Sequence, residues 1–307
     1  MSVRSTTAPT LGVTDWGRLV ILSVLWGGSF LFIKIAVTEL PPLLVVLARV
    51  GIGAAALHMA VRWTQARIPW DRPLAVRLFI LALINNVIPF SLIFFGQREI
   101  PAGLGAILNS TMPIFSVILA HYLTRDEPMT ARRILGVLLG VLGVTVLVGF
   151  GAITGSVREL IGMAAIILAC LSYSLGAIYA RRFPSLSSAA LAEGQLVCAA
   201  LFLLPIVMVV DQPWTLPPPS LSAGLAVLAL AILCTSIAYL LYFHVIKTSG
   251  ASNASLVTLL IPISGVILGA LVLHEPIHLE QLAGMALIIS GLLVIDGRFF
   301  HKLSRIP

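Results

Sequence analysis

Residues Ala102–Gly149 read AGLGAILNSTMPIFSVILAHYLTRDEPMTARRILGVLLGVLGVTVLVG. A long apolar helix carries one proline, Pro113, and ends in the turn Arg125-Asp126-Glu127-Pro128, after which a second apolar helix rich in glycine begins. The same text returns at Ala251–Gly297. Pro262 repeats Pro113, Glu275-Pro276 repeats Glu127-Pro128, Gly284 repeats Gly136 and Gly291 repeats Gly143. The offset is 149 residues before the acidic turn and 148 after it, about half of a 307-residue chain. Self-similarity at a fixed period marks a repeated structural unit, and missing it misreads the whole fold.

Working outward, the chain is 59% hydrophobic and 10% charged, against about 25% charged in soluble domains. So much apolar surface exceeds what one soluble core can hide, so the medium around the protein is itself apolar. The apolar segments run to around 20 residues, the length a roughly 30 Å hydrocarbon core demands of a helix. The alternating segments of about ten residues that build a membrane barrel are absent. The expected fold is therefore an all-α integral membrane protein, with the lipid bilayer as its first partner. The net charge of +7 does not call for nucleic acid, because basic residues in loops act as topology signals. Cys170, Cys198 and Cys234 sit inside apolar stretches without ligand spacing and read as small buried hydrophobes. Met1–Thr14 is polar and mildly basic, without a cleavage pattern, and reads as a short tail.

Ten spans are expected: Trp16–Val37, Pro42–Arg62, Leu74–Gly96, Ala102–Leu123, Ala131–Gly149, Leu160–Ala180, Ser188–Val210, Ser222–Ile246, Ala251–Leu273 and Leu279–Gly297. Pro41, Pro101, Pro128, Pro184 and Pro217–Pro219 punctuate the gaps. On this count one side of the membrane carries 15 basic residues (Arg4 and Arg18; Arg62, Arg67, Arg72 and Arg77; Arg125, Arg132 and Arg133; Arg181 and Arg182; Lys247; Arg298, Lys302 and Arg305) and the other carries 3, Lys34, Arg98 and Arg158. The positive-inside rule then places both termini in the cytoplasm. The units divide as a tail 1–15, a first repeat 16–149, a second repeat 157–297 and a tail 298–307. Each repeat holds five helices, an odd number, so the second starts on the opposite face. Two inverted five-helix repeats around a central cavity are an architecture by which secondary transporters alternate access.

The chemistry-bearing residues cluster near mid-membrane. Pro113 and Pro262 lack an amide hydrogen and are expected to break their helices, freeing the carbonyls of Asn109 and Thr258. Irregular backbone at that depth is tolerated where protein or a watery cavity satisfies it. Ser110 and Thr111 add polarity in the first copy, where the second has Leu259 and Leu260, so the site is expected to be lopsided. The first helix holds Trp26-Gly27-Gly28-Ser29-Phe30, with Tyr173 as the counterpart of Trp26 in the sixth. Asn85 and Asn86 lie mid-span in the third helix; Thr235, Ser236 and Tyr239 answer in the eighth. Substrate-cavity candidates are thus Trp26, Asn85, Asn86, Asn109, Thr111, Tyr173, Thr235, Tyr239 and Thr258. Two intramembrane charges stand apart. Arg49 lies about two turns from the outer end of the second helix, and intramembrane ionisable residues are functional by default; snorkelling to the headgroups is the competing role. Glu193 is a candidate proton-coupling group, with an interfacial position the stronger expectation. Glu127 and Glu275 are expected to cap the helices that follow them. Gly136, Gly140, Gly143, Gly284 and Gly291 read as helix-packing faces. The six histidines are scattered without metal-ligand spacing, and no nucleophile or P-loop motif is present. No enzyme activity, metal or cofactor is expected.

The residues Trp26-Gly27-Gly28-Ser29-Phe30 with Lys34, Pro41 with Arg49, the prolines Pro113 and Pro262, the turns with Glu127 and Glu275 and the glycines of the fifth and tenth helices resemble the drug/metabolite transporter superfamily, in its EamA-type ten-helix branch. The resemblance runs over about Trp16–Gly297. It implies a bacterial inner-membrane exporter of small metabolites, with helices 1, 3, 4, 6, 8 and 9 around the cavity and 5 and 10 peripheral. The nearest subgroup by resemblance is the YddG-type aromatic and neutral amino-acid exporters. Tyr173 departs from the tryptophan common there. The paired basic residues by which the related sugar-phosphate carriers hold phosphate are missing from helices 9 and 10. The expected activity is export of neutral or zwitterionic metabolites, aromatic or hydrophobic amino acids first. Energy would come from the substrate gradient or from protons, and a monomer is compatible with the sequence. Efflux of lipophilic drugs, and a non-transporting sensor or scaffold, are the alternatives.

Overall fold

The computed structural model describes residues 12–63, 68–124, 129–154 and 156–296. Glu127 and Pro128, with Arg4, Arg67, Arg125, Arg298, Lys302, Arg305 and Gly297, lie outside the described residues. Among the described residues ten helical spans cross the molecule: α1 (Val13–Val37), α2 (Pro42–Trp63), α3 (Arg72–Glu99), α4 (Ala102–Leu123), α5 (Ala131–Thr154), α6 (Val157–Ala180), α7 (Ser188–Val210), α8 (Leu221–Ser249), α9 (Val257–Leu273) and α10 (Leu279–Asp296). Among the described residues nine are long and apolar enough to cross a bilayer; α9, the shorter one, is preceded by a single helical turn, Ala251–Ala254.

Several helices start earlier than the apolar pattern suggests, because a polar side chain fixes the entry. The Leu74 amide donates to the Asp71 carboxylate (2.7 Å), and Ser156 and Glu159 form a reciprocal capping box that starts α6 at Val157. Likewise α1 begins at Val13, three residues before the expected start of the first span.

The two halves are related by a pseudo-two-fold axis. Exchanging each helix for its repeat partner maps the main helix pairs onto one another: α5 lies on α10, α2 on α7 and α4 on α9. The contact of α1 with α9 is mirrored by α4 with α6, that of α1 with α8 by α3 with α6, and that of α3 with α7 by α2 with α8. Because each unit crosses five times, the partners run in opposite directions.

Lipid tails are as apolar as the helices, so close van der Waals packing must supply much of the association. The α5–α10 pair shows how. A Cβ on Gly136 would lie 2.6 Å from the Gly291 carbonyl oxygen, and one on Gly143 2.8 Å from that of Gly284. The outer faces of these helices, with Leu138, Val141, Leu142 and Leu282, remain exposed. So broad an apolar belt is a surface made for lipid.

Four irregularities mark the interior. In α3 and α8 the backbone widens to π-helix at Leu83–Val87 and Ile232–Ile237, positions that match across the repeat. In α4 the helix breaks at Ser110–Thr111, and Pro113 opens the second piece, Met112–Leu123. The fourth corrects an expectation. Pro262 does not break its helix: it lies inside the continuous Val257–Leu273, and the irregularity falls earlier, at Ser255–Leu256. There Thr258 and Leu259 donate to Ser255 and Leu256, three residues back. A proline two turns into a helix removes one backbone bond and bends it without ending it when the rest of the ladder holds.

Candidate functional site

A cavity of about 600 Å³ lies between α1, α2, α3, α4, α6, α7, α8 and α9. Its lining reaches Ala180 and Ser188, which flank the α6–α7 loop, and Ile246 and Ser255, which flank the α8–α9 junction. At the other end it stops at Ile33 and Ile93, one turn or more short of the helix ends. It therefore opens toward the end where α1 starts, the basic end, and is blind toward the far end. The path of α4 explains this. Its first half, Ala102–Asn109, packs along α9, whereas its second half, Met112–Leu123, packs against α6 and α5. The pair α4/α9 is a V closed at the far end.

Charges from both halves hold the closed end. The Glu275 carboxylate accepts from the Ala102 amide (2.7 Å) and the Gly103 amide (3.0 Å), so it caps α4 in the other repeat. This corrects the expectation that Glu275 caps the helix following it. His274 ends α9 in the left-handed region (φ 54°), which turns the chain back toward α4. Lys34 at the end of α1 donates to the carbonyls of Gln97 (2.9 Å), Arg98 (3.2 Å) and Ile100 (3.0 Å), the C-terminal end of α3. An anion on a helix N-terminus and a cation on a C-terminus each complement the local dipole. Glu39 of the α1–α2 loop also crosses the repeat, accepting from the Ser220 amide (2.8 Å) and hydroxyl (2.6 Å) at the start of α8; these bonds hold its carboxyl below the usual carboxylate range.

Eight candidate residues line the cavity: Trp26, Arg49, Asn85, Asn109, Pro113, Tyr173, Tyr239 and Thr258. Trp26 leans on Tyr242, ring centroids 5.1 Å apart, and Tyr239 stacks on Phe243 at 5.9 Å. Arg49 does not snorkel. It is only 7% exposed, its Nε donates to Thr235 Oγ1 (3.0 Å), and its guanidinium lies 4.1 Å from the centre of the Phe90 ring.

Others face away, each for a local reason. Thr111 is buried, its hydroxyl donating back to the Leu108 carbonyl (2.7 Å). Asn86 is buried against α7, where its amide and that of Asn85 both donate to Gln195 Oε1 (2.9 and 2.8 Å). Thr235 stands behind the cavity wall and serves Arg49. Glu193 is buried within the protein, 7% exposed, and pairs with His58 of α2 at 2.5 Å, outside the cavity lining.

The freed backbone is satisfied from neighbouring helices and, in α8, from side chains of the same helix. Cys170 Sγ sits 3.6 Å from the carbonyls of both Leu108 and Asn109, and Ser174 donates to Met112 (3.0 Å). Ser172 donates to Ile84 in the first π-segment (2.6 Å), and Thr235 and Ser236 close onto carbonyls five residues back in the second. The π-segments carry no warning in the text, since an extra residue in a helical turn leaves the apolar pattern intact. Gln195, Tyr242 and Phe243 also escaped the sequence reading: they look like ordinary span residues until α7 and α8 are placed.

An inverted-repeat helical membrane protein with a one-sided central cavity is, in class, a membrane transporter. The chain belongs to the EamA-like transporter family, whose profile matches residues 17–149 and 160–296, one match per half. It is 22% identical to the uncharacterized transporter YoaV of Bacillus subtilis over 92% of this chain and 97% of that one. It is 24% identical to the uncharacterized inner membrane transporter YedA of Escherichia coli K12, over 92% of this chain and 91% of that protein. A solved crystal structure superposes over 96% of this chain and 99% of its own, with a TM-score of 0.65 at 20% identity, a likeness of fold.

Proposed function

We propose that the protein is an alternating-access exporter of small amphipathic metabolites, aromatic or hydrophobic amino acids foremost, in a bacterial inner membrane. The basic end faces the cytoplasm. The observation that carries the reading is the cavity itself: about 600 Å³, at the junction of two inverted repeats, open at the basic end and latched at the other by groups from both halves. A site open to the cytoplasm and blind outward is the loading state of an exporter. Release follows when the halves exchange conformations, which inverted repeats permit at little cost because each is built to adopt the other's shape. The counterparts of Lys34 and Glu275 in the repeat are Arg181 and Glu127, on the cytoplasmic side in this reading. The latch would re-form there.

Trp26, Tyr173, Tyr239, Tyr242 and Phe243 give the cavity aromatic walls suited to an aromatic or branched side chain. Among the described residues no aspartate or glutamate lines it, which sets drug-like cations second. A scaffold would have no use for such a hollow. Reconstitution in proteoliposomes tests the proposal: counterflow of labelled phenylalanine or leucine, with and without a pH gradient. Saturable exchange is expected. Its absence for a panel of neutral amino acids, with protein shown to be folded, overturns the reading.

A further inference from the structure

We propose that Arg49 is the anchor of a carboxylate subsite at the blind end of the cavity, so that the cargo class is an amphipathic carboxylate and an ammonium group is dispensable. The cargo role rests on the transport reading above; the subsite does not.

Arg49 lies seven residues into α2, roughly 10 Å along the axis from the far end, and is almost fully buried. A charge at that depth demands compensation. Among the described residues Arg49 makes no ion pair, and no acidic side chain lines the cavity. A guanidinium presents five N–H donors. Only Nε is used, on Thr235. The two terminal nitrogens, the fork that matches a carboxylate edge-on, have no acceptor among the described residues.

The fork is also held in place. Thr235 donates its own hydroxyl to the Leu230 carbonyl (2.8 Å) inside the π-segment of α8, which fixes the oxygen that receives Nε. Phe90 lies against one face of the guanidinium, 4.1 Å from the ring centre, with Phe94 at 5.8 Å. Tyr173 and Tyr239, both cavity-lining, are close enough to interact with the charge, and neither phenol has a hydrogen-bond partner among the described residues. They are further donors for a carboxylate bound at the fork. The Trp26–Tyr242 pair and Phe243 lie on the same cavity and would receive the apolar remainder. With no lining carboxylate to meet an ammonium, the anion carries the recognition. Thr235 is a positioning residue in this scheme.

The test is equilibrium binding to the purified full-length protein in detergent, read by tryptophan fluorescence and by thermal stabilisation. The probes are phenylalanine, 3-phenylpropionate, phenylalaninamide and phenethylamine. The two carboxylates are expected to bind at least tenfold more tightly than the amide and the amine. Arg49→Gln is expected to erase that margin by weakening the carboxylates alone. Arg49→Lys, which keeps a charge without the fork, is expected to give an intermediate margin and covers the case in which the glutamine variant does not fold. Thr235→Val is expected to reduce the margin through the same contact. Equal binding of acid and amide to the wild type, no saturable binding of either carboxylate, or an unchanged margin in Arg49→Lys overturns the proposal. Selective binding without transport in proteoliposomes would leave the subsite standing and remove the transport reading. Transport that ignores the carboxylate would do the reverse.

Discussion

Replacing Glu275 with alanine is expected to unlatch the far end. The substitution removes the acceptor of two backbone amides, at 2.7 and 3.0 Å, that tie the turn after α9 to the first turn of α4. A hydrogen bond to a charged group contributes about 1.5–3 kcal/mol. Glu275 is half-buried, so the lower figure applies to each bond, roughly 3 kcal/mol for the two after screening by solvent. These bonds join the two halves of the molecule, and opening the far end must break them. At about 1.4 kcal/mol per tenfold, the ratio of closed to open therefore falls by roughly a hundredfold. Labelling of a cysteine at Ile93 reads this directly, since Ile93 lines the blind end of the cavity. Cys170, Cys198 and Cys234 are first replaced by alanine, and an impermeant maleimide is added from the far side. While the open state is rare, the labelling rate scales with its population, so the rate should rise by about two orders of magnitude. Glu275→Gln keeps one neutral acceptor and should give about one order. An unchanged rate in folded Glu275→Ala would refute the reasoning: the carboxylate would then be a cap kept in every state and not a latch.

Other outcomes follow from the same contacts. Gly143→Val drives a branched side chain into the Gly284 carbonyl, and overpacking of that kind costs about 1–3 kcal/mol; thermal unfolding in detergent should show it, with transport per folded molecule retained because α5 and α10 do not line the cavity. His58 and Glu193 form a pair with one buried and one half-exposed partner, so a double-mutant cycle with glutamine at each position should give a coupling of roughly 1 kcal/mol, and a coupling near zero would deny the contact. His274→Gly should be neutral or stabilising by up to about 1 kcal/mol, because the left-handed conformation penalises a side chain, whereas His274→Val should destabilise. For Glu39 the bound carboxyl is held below its ordinary range, so the cap on α8 is complete above the unfolded-state value and is lost as pH falls through the lower folded one. Amide exchange at Ser220 should accelerate relative to its neighbours on that acid limb, and Glu39→Gln should abolish the pH dependence.

Much of the architecture was legible in the text. The 149-residue offset, the odd number of helices per repeat and the lopsided loop charges follow from chain length, hydropathy and topology, and none requires a contact to be known. Trp26, Asn109, Tyr173, Tyr239 and Thr258 were also readable as cavity residues, because polar and aromatic side chains at mid-span face away from lipid. What the sequence could not fix was partnership. Whether Glu275 caps α10, its neighbour in the chain, or α4, 173 residues away, depends on where α9 ends in space. Whether Thr111, Asn86 and Thr235 see the cavity or stand behind its wall depends on a rotation of less than half a helical turn, set by the break at Ser110–Thr111 and by the π-segments of α3 and α8. An inserted residue changes which face looks inward without changing the apolar pattern. The sequence by itself determined an inverted duplication in a membrane, since hydropathy and charge act on each span alone. Only the tertiary structure decided which end is closed, what closes it and where Arg49 points, because those depend on groups far apart in the chain, Lys34 with Gln97, Glu275 with Ala102 and Arg49 with Thr235, that meet only once the helices pack.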